Sequence, residues 1–369
     1  MSTISVETLR RWLEEGRPVT VVDIRRTKDR KEWYIPGSLH VDIYDAVANR
    51  DPSALADLNL PSDAPVVFVC NMGVTAAIAA ELLIRQGIEA YVLEGGMQAW
   101  SLAYNVADVP FEAGVEILQV RRTGKGCLSY MIGSDKESAV IDASVEAEVY
   151  QSLAQQRGWE IRAVIDTHVH ADHISRALSL TRQTGATLYL PAQNRVHYAF
   201  TPLEDGDSID IGRARLIVCH TPGHTEESSC YLLNDKALFT GDTLFLDAVG
   251  RPDLHTDPEA ARRRAERLYD SLLRLQSLPP STLILPGHTD SPTPFDGRPL
   301  VRTLGEIYQT TPLLQESDKE VFVQTILARI PPTPPNYLEI IHINESGSLE
   351  TLAKPVTELE AGANRCAVH

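Results

Sequence analysis

Along the first hundred residues, segments with the apolar pattern of a β-strand alternate with segments that have the pattern of an α-helix. Three short runs of β-branched and aromatic residues predict buried strands, at residues 19–23, 65–70 and 90–93. Residues 76–86 carry a helical pattern and end at Gly87, where a helix can stop. Because strands that alternate with helices form parallel sheets covered on both faces, this pattern predicts an α/β domain over residues 1–105.

A different pattern begins near Phe111 and continues along the rest of the chain. Residues 105–114 lack a clear period and predict a linker. Beyond it, strands are predicted at residues 115–121, 127–132, 139–141, 161–165, 187–190, 215–219, 229–233, 237–240 and 282–285. Helices are predicted at residues 145–156 and 258–276. Groups of strands separated by helices predict a second domain, over residues 111–369, in which two sheets lie between helical layers.

The composition is that of a globular protein, and its charge limits the partners. Of the 369 residues, 43% are hydrophobic and 23% are charged, which is enough apolar material for two cores. The formal net charge of −16 repels phosphates, so neither nucleic acid nor an anionic membrane is expected as a partner. The sequence shows no signal-peptide pattern and no apolar run of membrane-spanning length. Five irregularly spaced cysteines fit a reducing compartment, so a cytoplasmic enzyme is predicted.

Three histidines and one aspartate lie within six residues after the predicted strand 161–165. They are His168, His170, Asp172 and His173. Alternation in an extended segment sends His168 and His170 to the same side, and the turn that follows can direct Asp172 and His173 to a nearby point. An isolated buried histidine is usually structural, but imidazole and carboxylate groups at this density are the ligands that divalent transition metals prefer. The segment therefore predicts a metal site.

Three further residues that can bind a metal follow predicted strands at turns. His224 and His288 lie in Pro-Gly-His-Thr sequences, and Asp242 lies in a Thr-Gly-Asp sequence. Turns of this kind present a side chain at a sheet edge, where the sites of layered α/β proteins collect. The other histidines lack such settings and are interpreted as structural or surface residues: His40, His197, His220, His255, His342 and His369.

The succession HxHxDH, PGHT, TGD and PGH resembles the signature of the metallo-β-lactamase superfamily and is most similar to its glyoxalase II branch. The resemblance covers roughly residues 111–300 and implies an αββα sandwich with one or two metal ions between the sheets. One implied function is that of a dinuclear zinc hydrolase, in which Asp242 bridges two Zn(II) ions and metal-bound hydroxide attacks a thioester. The other ligands then divide into two sets: His168, His170 and His224, and Asp172, His173 and His288.

The second implied function uses only His168, His224 and Asp242. Two histidines and one carboxylate on one face of a metal are typical of non-haem Fe(II) oxygenases. Persulfide dioxygenases are the members of this branch that use these ligands, with one Fe(II) per chain. Two details are similar to them: the Ala before Asp172 and the GRPD sequence at residues 250–253, which carries Pro252 where Thr is common. The resemblance implies that O₂ oxidises the outer sulfur of a persulfide, which releases sulfite and a thiol.

Substrate-binding residues are predicted in two segments. Arg251 can pair with a carboxylate of a glutathione-like carrier through its bidentate guanidinium, or it can form a salt bridge within its own loop. The proline-rich residues 331–335 predict a rigid turn that positions Asn336 and Tyr337, and this stretch resembles segments that close the substrate pocket of persulfide dioxygenases.

Cys70 ends the predicted strand 65–70 and precedes a turn and a helix. Backbone N–H groups of such a loop and the helix N-terminus can stabilise a thiolate, which is the nucleophile for sulfur. The commoner fate of a cysteine is burial as a small apolar residue. The surrounding sequences, including GGMQAW at residues 95–100, resemble a rhodanese domain over residues 1–105. The resemblance implies a persulfide-binding loop after Cys70, with Asn71, Met72, Gly73, Val74 and Thr75.

The two resemblances together predict a persulfide dioxygenase coupled to sulfur transfer through Cys70. A rhodanese domain moves sulfane sulfur, which a persulfide dioxygenase consumes, whereas glyoxalase II chemistry gives no reason for such a partner. The expected small-molecule partners are a persulfide, a glutathione-like thiol and O₂, and a homo-oligomer is one option. A dinuclear hydrolase and a sensor that binds sulfane sulfur or metal without turnover are the alternatives. The other cysteines are interpreted as structural: Cys127, Cys219, Cys230 and Cys366.

Overall fold

The N-terminal part of the chain forms a five-stranded parallel sheet in the computed structural model, which describes residues 2–56, 58, 60, 64–348 and 354–369. Its strands are β1 (Ser2–Ile4), β2 (Thr20–Asp23), β3 (Leu39–His40), β4 (Val66–Val69) and β5 (Ala90–Leu93). Their order across the sheet is β1-β5-β4-β2-β3. The helices are α1 (Val6–Glu14), α2 (Thr27–Glu32), α3 (Tyr44–Ala48), α4 (Val74–Ile84) and α5 (Gly96–Trp100).

Both faces of this sheet are covered, as its continuous apolar strands require. Every residue of β2 and β4 is buried. Phe68 belongs to a core with Ala79 of α4 on one face, and Val67 belongs to a core with Trp100 on the other. The predicted parallel α/β domain is therefore confirmed.

The rest of the chain forms two larger sheets. The first has the order β12-β11-β10-β9-β8-β7-β6 and the second has the order β13-β14-β15-β16-β18-β19. The strands of the first sheet are β6 (Asn105–Val109), β7 (Glu116–Arg122), β8 (Cys127–Ser134), β9 (Glu137–Ile141), β10 (Glu160–Ile165), β11 (Thr187–Pro191) and β12 (Thr201–Leu203). Those of the second are β13 (Ser208–Ile211), β14 (Ala214–His220), β15 (Ser229–Leu233), β16 (Ala237–Gly241), β18 (Leu283–Pro286) and β19 (Arg302–Thr303). A small pair joins β17 (Val249–Gly250) to β20 (Ala367–Val368).

The two sheets pack face to face and helices cover their outer faces. Ile117, Tyr130 and Ile165 of the first sheet share a core with Tyr231 and Phe239 of the second. The helices that follow are α6 (Ala147–Arg157), α7 (Ala177–Thr184), α8 (Pro258–Gln276), α9 (Leu304–Thr310), α10 (Lys319–Ala328), α11 (Tyr337–Ser346) and α12 (Val356–Leu359), with a 3-10 helix at Pro312–Gln315. Helices α6 and α7 cover the first sheet, while α8, α9 and α10 cover the second. This is the αββα sandwich that the sequence implied.

The predicted linker over residues 105–114 is wrong for its first half. Residues 105–109 form β6, which pairs antiparallel with β7 at the edge of the first sheet. Asn105, Ala107 and Val109 are buried, so alternate residues face the core as they do in a strand. Five residues are too few for this alternation to stand out in the sequence.

The N-terminal domain also contacts the sandwich directly, because Nε1 of Trp33 donates a hydrogen bond to the carbonyl of Thr123. Among the described helices, none is both long and apolar enough to cross a bilayer.

Candidate metal centre and cysteine loop

All seven predicted metal ligands meet at one edge of the sandwich, each just beyond the carboxyl end of a strand. His168, His170, Asp172 and His173 follow β10, His224 follows β14, Asp242 follows β16, and His288 follows β18. Each of these side chains is buried. Parallel β16 and β18 bring Asp242 and His288 to the same end of the second sheet. The strand-then-turn settings that singled out these residues in the sequence therefore do bring them together.

Three of the ligands form a compact group of their own. The Oδ2 atom of Asp242 lies 3.5 Å from Nε2 of His224 and 3.9 Å from Nε2 of His168. The three donor atoms lie within 4.8 Å of one another. Nε2 of His168 and Oδ2 of Asp242 are buried without a hydrogen-bond partner, which is costly unless another group satisfies them. The donor set and its unsatisfied atoms fit a divalent metal ion with two histidine ligands and one carboxylate ligand.

Hydrogen bonds made by Nδ1 of His168 and Nδ1 of His224 orient the two imidazole rings of this group. Nδ1 of His224 donates to the carbonyl of Arg251 at 2.8 Å, because a carbonyl can only accept. Thr167 donates its hydroxyl proton to Asp142, so its oxygen is left to accept from Nδ1 of His168 at 2.9 Å. Both imidazoles are thereby held as the tautomer whose Nε2 lone pair is free for a metal.

Three other predicted ligands surround a different point. Asp172, His173 and His288 form a group there with Cys127, again with donor atoms within 4.8 Å of one another. Nδ1 of His288 lies 2.6 Å from Oδ1 of Asp242, so that His288 connects the two groups. The interpretation of Cys127 as purely structural did not foresee this position. Cys127 is 45 residues away from Asp172 in the chain, and its sequence carries no motif that would indicate proximity.

His170 is turned toward two carboxylates that sequence reasoning did not select as site residues. Its Nε2 lies 3.3 Å from Oδ1 of Asp142 and 3.9 Å from Oδ1 of Asp166, and neither of its ring nitrogens has a hydrogen-bond partner. Asp142 directly follows β9 and has a positive φ of 53°. Because Nε2 faces the two carboxylates, Nδ1 is the ring nitrogen that faces away from them.

Burial and neighbouring charges set the protonation states that a metal requires. Burial, with a further contribution from His170, lowers the pKa of His168 well below its usual value, and burial likewise lowers the pKa of His224. Burial alone would raise the pKa of Asp242, but His288, His168 and His224 hold it far below the ordinary range. At neutral pH the group is therefore two neutral imidazoles and a carboxylate, which are the forms that bind metal.

Arg251, a predicted substrate-binding residue, makes the contacts of the alternative interpretation in this structure. Its guanidinium is fully buried and paired bidentately with Asp253, with both bonds at 2.8 Å. It also donates to the carbonyls of Pro332 and Arg365. Arg251 thus forms the loop salt bridge that was the alternative, and it anchors the C-terminal segment beside His224.

Asn336 and Tyr337 are positioned by the proline-rich segment but serve different contacts. Asn336 has a φ of 59° and its side-chain amide donates to the carbonyls of Glu358 and Leu359, so it connects the start of α11 to α12. Tyr337 packs in a cluster with Ala171 and Leu254, close to the HxHxDH segment. The pocket-closing role expected for these two residues stays a prediction.

A cavity of about 110 Å³ leads to His224. Its lining includes the apolar residues Val169 and Leu254 and the cationic residues Arg195 and Arg264. The Nε atom of Arg264 is buried without a hydrogen-bond partner. Sequence reasoning missed this arginine because α8 resembles an ordinary charged surface helix, and only the packing reveals which of its arginines faces inward.

The Cys70 loop combines features of both interpretations, because backbone N–H groups contact the sulfur while the side chain is buried in the core of the domain. The Cys70 side chain is buried, and its Sγ accepts hydrogen bonds from the backbone N–H groups of Gly73 at 3.2 Å and Ala76 at 3.4 Å. Gly73 has a φ of 86°, in the left-handed region that favours glycine. Met72 and Val74 are exposed and Thr75 is buried, so the loop presents two apolar side chains outward. A cavity of about 230 Å³ lies beside Asn71, between the two domains.

Two family models match this chain in the regions that the fold separates. Residues 122–288 match the metallo-beta-lactamase superfamily, and residues 5–103 match the rhodanese-like domain. Among solved structures, a metallo-beta-lactamase from Staphylococcus aureus aligns with a TM-score of 0.59 and 26% identity over 66% of this chain and 75% of that one. ETHE1 from Myxococcus xanthus aligns with a TM-score of 0.54 and 28% identity over 66% of this chain and 99% of that one.

Two similar curated proteins are described as hydrolases. The probable polyketide biosynthesis zinc-dependent hydrolase PksB of Bacillus subtilis is 30% identical over 51% of this chain and 81% of its own length. The hydroxyacylglutathione hydrolase of Rhizobium johnstonii is 36% identical over 41% of this chain, which spans 57% of that relative. With the sandwich fold and the matched motif, these similarities show that the chain belongs to the metallo-beta-lactamase superfamily and carries a rhodanese domain before its metallo-beta-lactamase domain.

Proposed function

We propose that the chain oxidises a low-molecular-weight persulfide, of the glutathione persulfide type, with O₂ at a single non-haem Fe(II). One persulfide, one O₂ and one water give one thiol, one sulfite and two protons, so the outer sulfur loses four electrons and O₂ gains them. The observation that carries the proposal is the compact group of His168, His224 and Asp242. Two histidines and one carboxylate leave several metal positions open, as a reaction between O₂ and a second substrate requires.

The protein's own residues hold and shield this centre. Fe(II), when bound by the three donors, supplies the redox chemistry that O₂ and a persulfide need. Thr167 and the carbonyl of Arg251 fix the two imidazoles, and His288 holds Oδ1 of Asp242 so that Oδ2 faces the group. Val169 and Leu254 line the approach with apolar surface, which limits water near the reacting sulfur.

The cavity at His224 supports an anionic thiol carrier as the substrate. Arg195 and Arg264 line this cavity together with His224, a candidate iron ligand. A glutathione-like molecule carries carboxylates that such groups pair with. Arg195 pairs with Glu227 and Glu345 at 2.9 Å, whereas Arg264 has a longer ion pair, with Nε 3.5 Å from Glu226, and its Nε makes no hydrogen bond, so Arg264 is the less constrained of the two. We therefore transfer the carrier-binding role from Arg251 to Arg264.

The rhodanese domain is proposed to deliver the sulfur. The thiolate of Cys70 attacks the outer sulfur of a donor persulfide, which forms a Cys70 persulfide and releases the donor thiol. A glutathione-like thiolate then attacks the outer sulfur of Cys70 and leaves as the substrate of the metal centre. The N–H groups of Gly73 and Ala76 point at Sγ and stabilise the negative charge on sulfur at both stages.

Metal analysis combined with oxygen uptake tests the main proposal. The full-length protein, reconstituted with Fe(II) without oxygen, should hold one iron in the triad and consume O₂ and glutathione persulfide in equal amounts, with sulfite as the product. The measurements are elemental analysis, an oxygen electrode and sulfite quantitation. A protein that binds two zinc ions in the seven-ligand site, hydrolyses a thioester and consumes no oxygen would contradict it.

A dinuclear hydrolase is the second candidate function. It is favoured by the unpartnered, buried nitrogen atoms of His170, His173 and His288, which lie beyond the three-residue group. Two of the similar proteins are described as hydrolases, one of them zinc-dependent. Hydrolysis of hydroxyacyl-glutathione by zinc-loaded protein, measured in the same preparation, separates this candidate from the dioxygenase.

The role of Cys70 can be separated from that of the metal centre. We expect Cys70→Ser to lower sulfur transfer from a persulfide donor to glutathione by roughly 10³-fold, because a hydroxyl is a poor nucleophile for sulfur. Oxygen uptake on preformed glutathione persulfide should stay near the wild-type rate. Mass spectrometry should find a persulfide on Cys70 in the wild type, and Cys230→Ser serves as the control. Unimpaired transfer by Cys70→Ser would disprove the role.

A further inference from the structure

The segment that carries four of the seven candidate ligands is buried but has no regular secondary structure. Residues 166–176 lie between β10 and α7 and form neither helix nor strand, although all of them except Ser175 are buried. Buried backbone N–H and C=O groups need hydrogen-bond partners, and an irregular segment cannot supply them from a ladder of its own. The partners therefore come from other parts of the fold, and they fix the backbone from which the ligand side chains extend.

Asn344 of α11 supplies three of these partners with one side chain. Its Nδ2 donates to the carbonyl of His170 at 2.8 Å and to the carbonyl of His173 at 2.9 Å. Its Oδ1 accepts from the N–H of Ser175 at 2.9 Å. The buried amide thereby uses both of its protons and its oxygen on the backbone of one turn. Asp172 lies between the two residues whose carbonyls it holds.

Apolar contacts hold α11 against the same segment. Ile341 shares a buried cluster with Ala171, and Ile343 shares another with Ile174. Side chains three residues apart lie on one face of a helix, so Ile341 and Asn344 reach the segment together. The amide is therefore presented to the turn from a packed helix and not from a loose side chain at the surface.

We propose that Asn344 is a positioning residue of the metal centre, which directs the ligands of the HxHxDH segment through their backbone. It acts on the carbonyls of His170 and His173 and is not itself a ligand. An amide suits this place because it donates twice without bringing a charge to the ligands. The proposal rests on the metal centre of the proposed function, but not on which of the two candidate reactions takes place there.

Two substitutions separate the loss of the two donated hydrogen bonds from a change of charge. In Asn344→Asp the ionised carboxylate keeps the shape and still accepts from the N–H of Ser175, but it cannot donate to the two carbonyls. Its negative charge by itself strengthens the binding of a nearby cation, so weaker metal binding reports the lost donors. Asn344→Ser is the milder change, because a cavity of about 390 Å³ adjoins Asn344 and water can reach the freed carbonyls.

Titration of metal-free full-length protein with Co(II), against a competing chelator, tests the proposal without reference to activity. We expect both Asn344 variants to bind Co(II) about 10–100-fold more weakly than the wild type, as is usual when a group that orients ligands is lost. We also expect a shift of the visible absorption band of bound Co(II), because this band reports the arrangement of the ligands.

Gln119→Glu is the matched control. Gln119 is also a buried amide, and its Nε2 and Oε1 bond to the carbonyl and the N–H of Leu300, outside the HxHxDH segment. Its replacement should weaken the fold, which urea denaturation of the metal-free protein measures. The Co(II) affinity and the visible band should stay as in the wild type.

The outcomes distinguish this proposal from the proposed function. Wild-type affinity and an unshifted band in Asn344→Asp overturn the positioning role, and Asn344→Ser decides in the same way if Asn344→Asp does not fold. An equal loss of affinity in Gln119→Glu also overturns it, because the effect then follows from stability alone. If oxygen uptake on glutathione persulfide fails while the cobalt band depends on Asn344, the dioxygenase proposal fails and the positioning role stands.

Discussion

Asp242→Asn is expected to lower oxygen uptake on glutathione persulfide by at least about 10³-fold, and to lower the iron content with it. The amide keeps the size of the side chain but removes the charge that complements a divalent ion. It also leaves Oδ1 as a weaker acceptor for Nδ1 of His288, which now lies 2.6 Å away. Iron content by elemental analysis and oxygen uptake are the two measurements.

The matched control for this substitution is Asp210→Asn. Asp210 is an exposed aspartate whose carboxylate pairs with Arg215 on the surface of the second sheet. Its replacement should leave both iron content and oxygen uptake at wild-type values. Full iron binding and full oxygen uptake in Asp242→Asn would show that the triad is not the iron site.

Glu360→Gln is expected to lower the free energy of unfolding by about 3–5 kcal/mol, the usual result of breaking a buried ion pair from one side. Glu360 is fully buried and accepts hydrogen bonds from Arg122 at 2.6 Å, from Arg176 at 3.0 Å and from the N–H of Ile174 at 2.6 Å. The substitution leaves the buried guanidinium of Arg122 without its counterion and leaves that of Arg176 with Glu146 alone. Urea denaturation measures the loss, with the exposed Glu320→Gln as a control that should unfold like the wild type.

The pKa of the Glu360 carboxylate determines how the difference in stability between the wild type and Glu360→Gln depends on pH. Burial alone would raise the pKa of Glu360, but Arg122 and Arg176 outweigh it and lower the pKa to about 2 from an ordinary value of 4.5. A group with a lowered pKa in the folded state contributes stability above its unfolded pKa and loses it on acidification. The stability advantage of the wild type over Glu360→Gln should therefore be full above pH 4.5 and shrink as the pH falls toward 2. A difference that stays constant across this range would contradict the assignment.

The strand ends and the convergence of the seven candidate metal ligands could be predicted from the sequence because both depend on local pattern. Apolar runs such as β10 define the strands, and dense histidines after a strand have few structural uses. Parallel strands that end at a common edge then bring distant ligands together. For these residues the ligand types and their spacing are encoded in short segments, and the fold then brings the segments together.

Residues whose role depends on packing could not be found in this way. Arg251 and Arg264 both lie close in the chain to predicted metal ligands. The guanidinium of Arg251 is paired with Asp253, two residues away. Nε of Arg264, beside the cavity, has no hydrogen-bond partner. The position of Cys127 depends on an antiparallel bridge to His288, which no local pattern encodes. The strand β6 was also missed, because five residues with partial alternation are too few to distinguish a strand from a loop.

The edge strand β6 restricts how sulfur can travel between the two domains. The chain leaves the rhodanese domain and enters the sandwich sheet at Asn105, and the N–H of Gly124 donates to the carbonyl of Ala103 at 2.9 Å across the junction. Cys70 therefore has no swinging arm that could carry it to the triad. In the proposed reaction sequence the sulfur therefore leaves Cys70 on a small diffusible thiol, and an excess of an acceptor thiol whose persulfide is not oxidised at the metal centre should lower oxygen uptake.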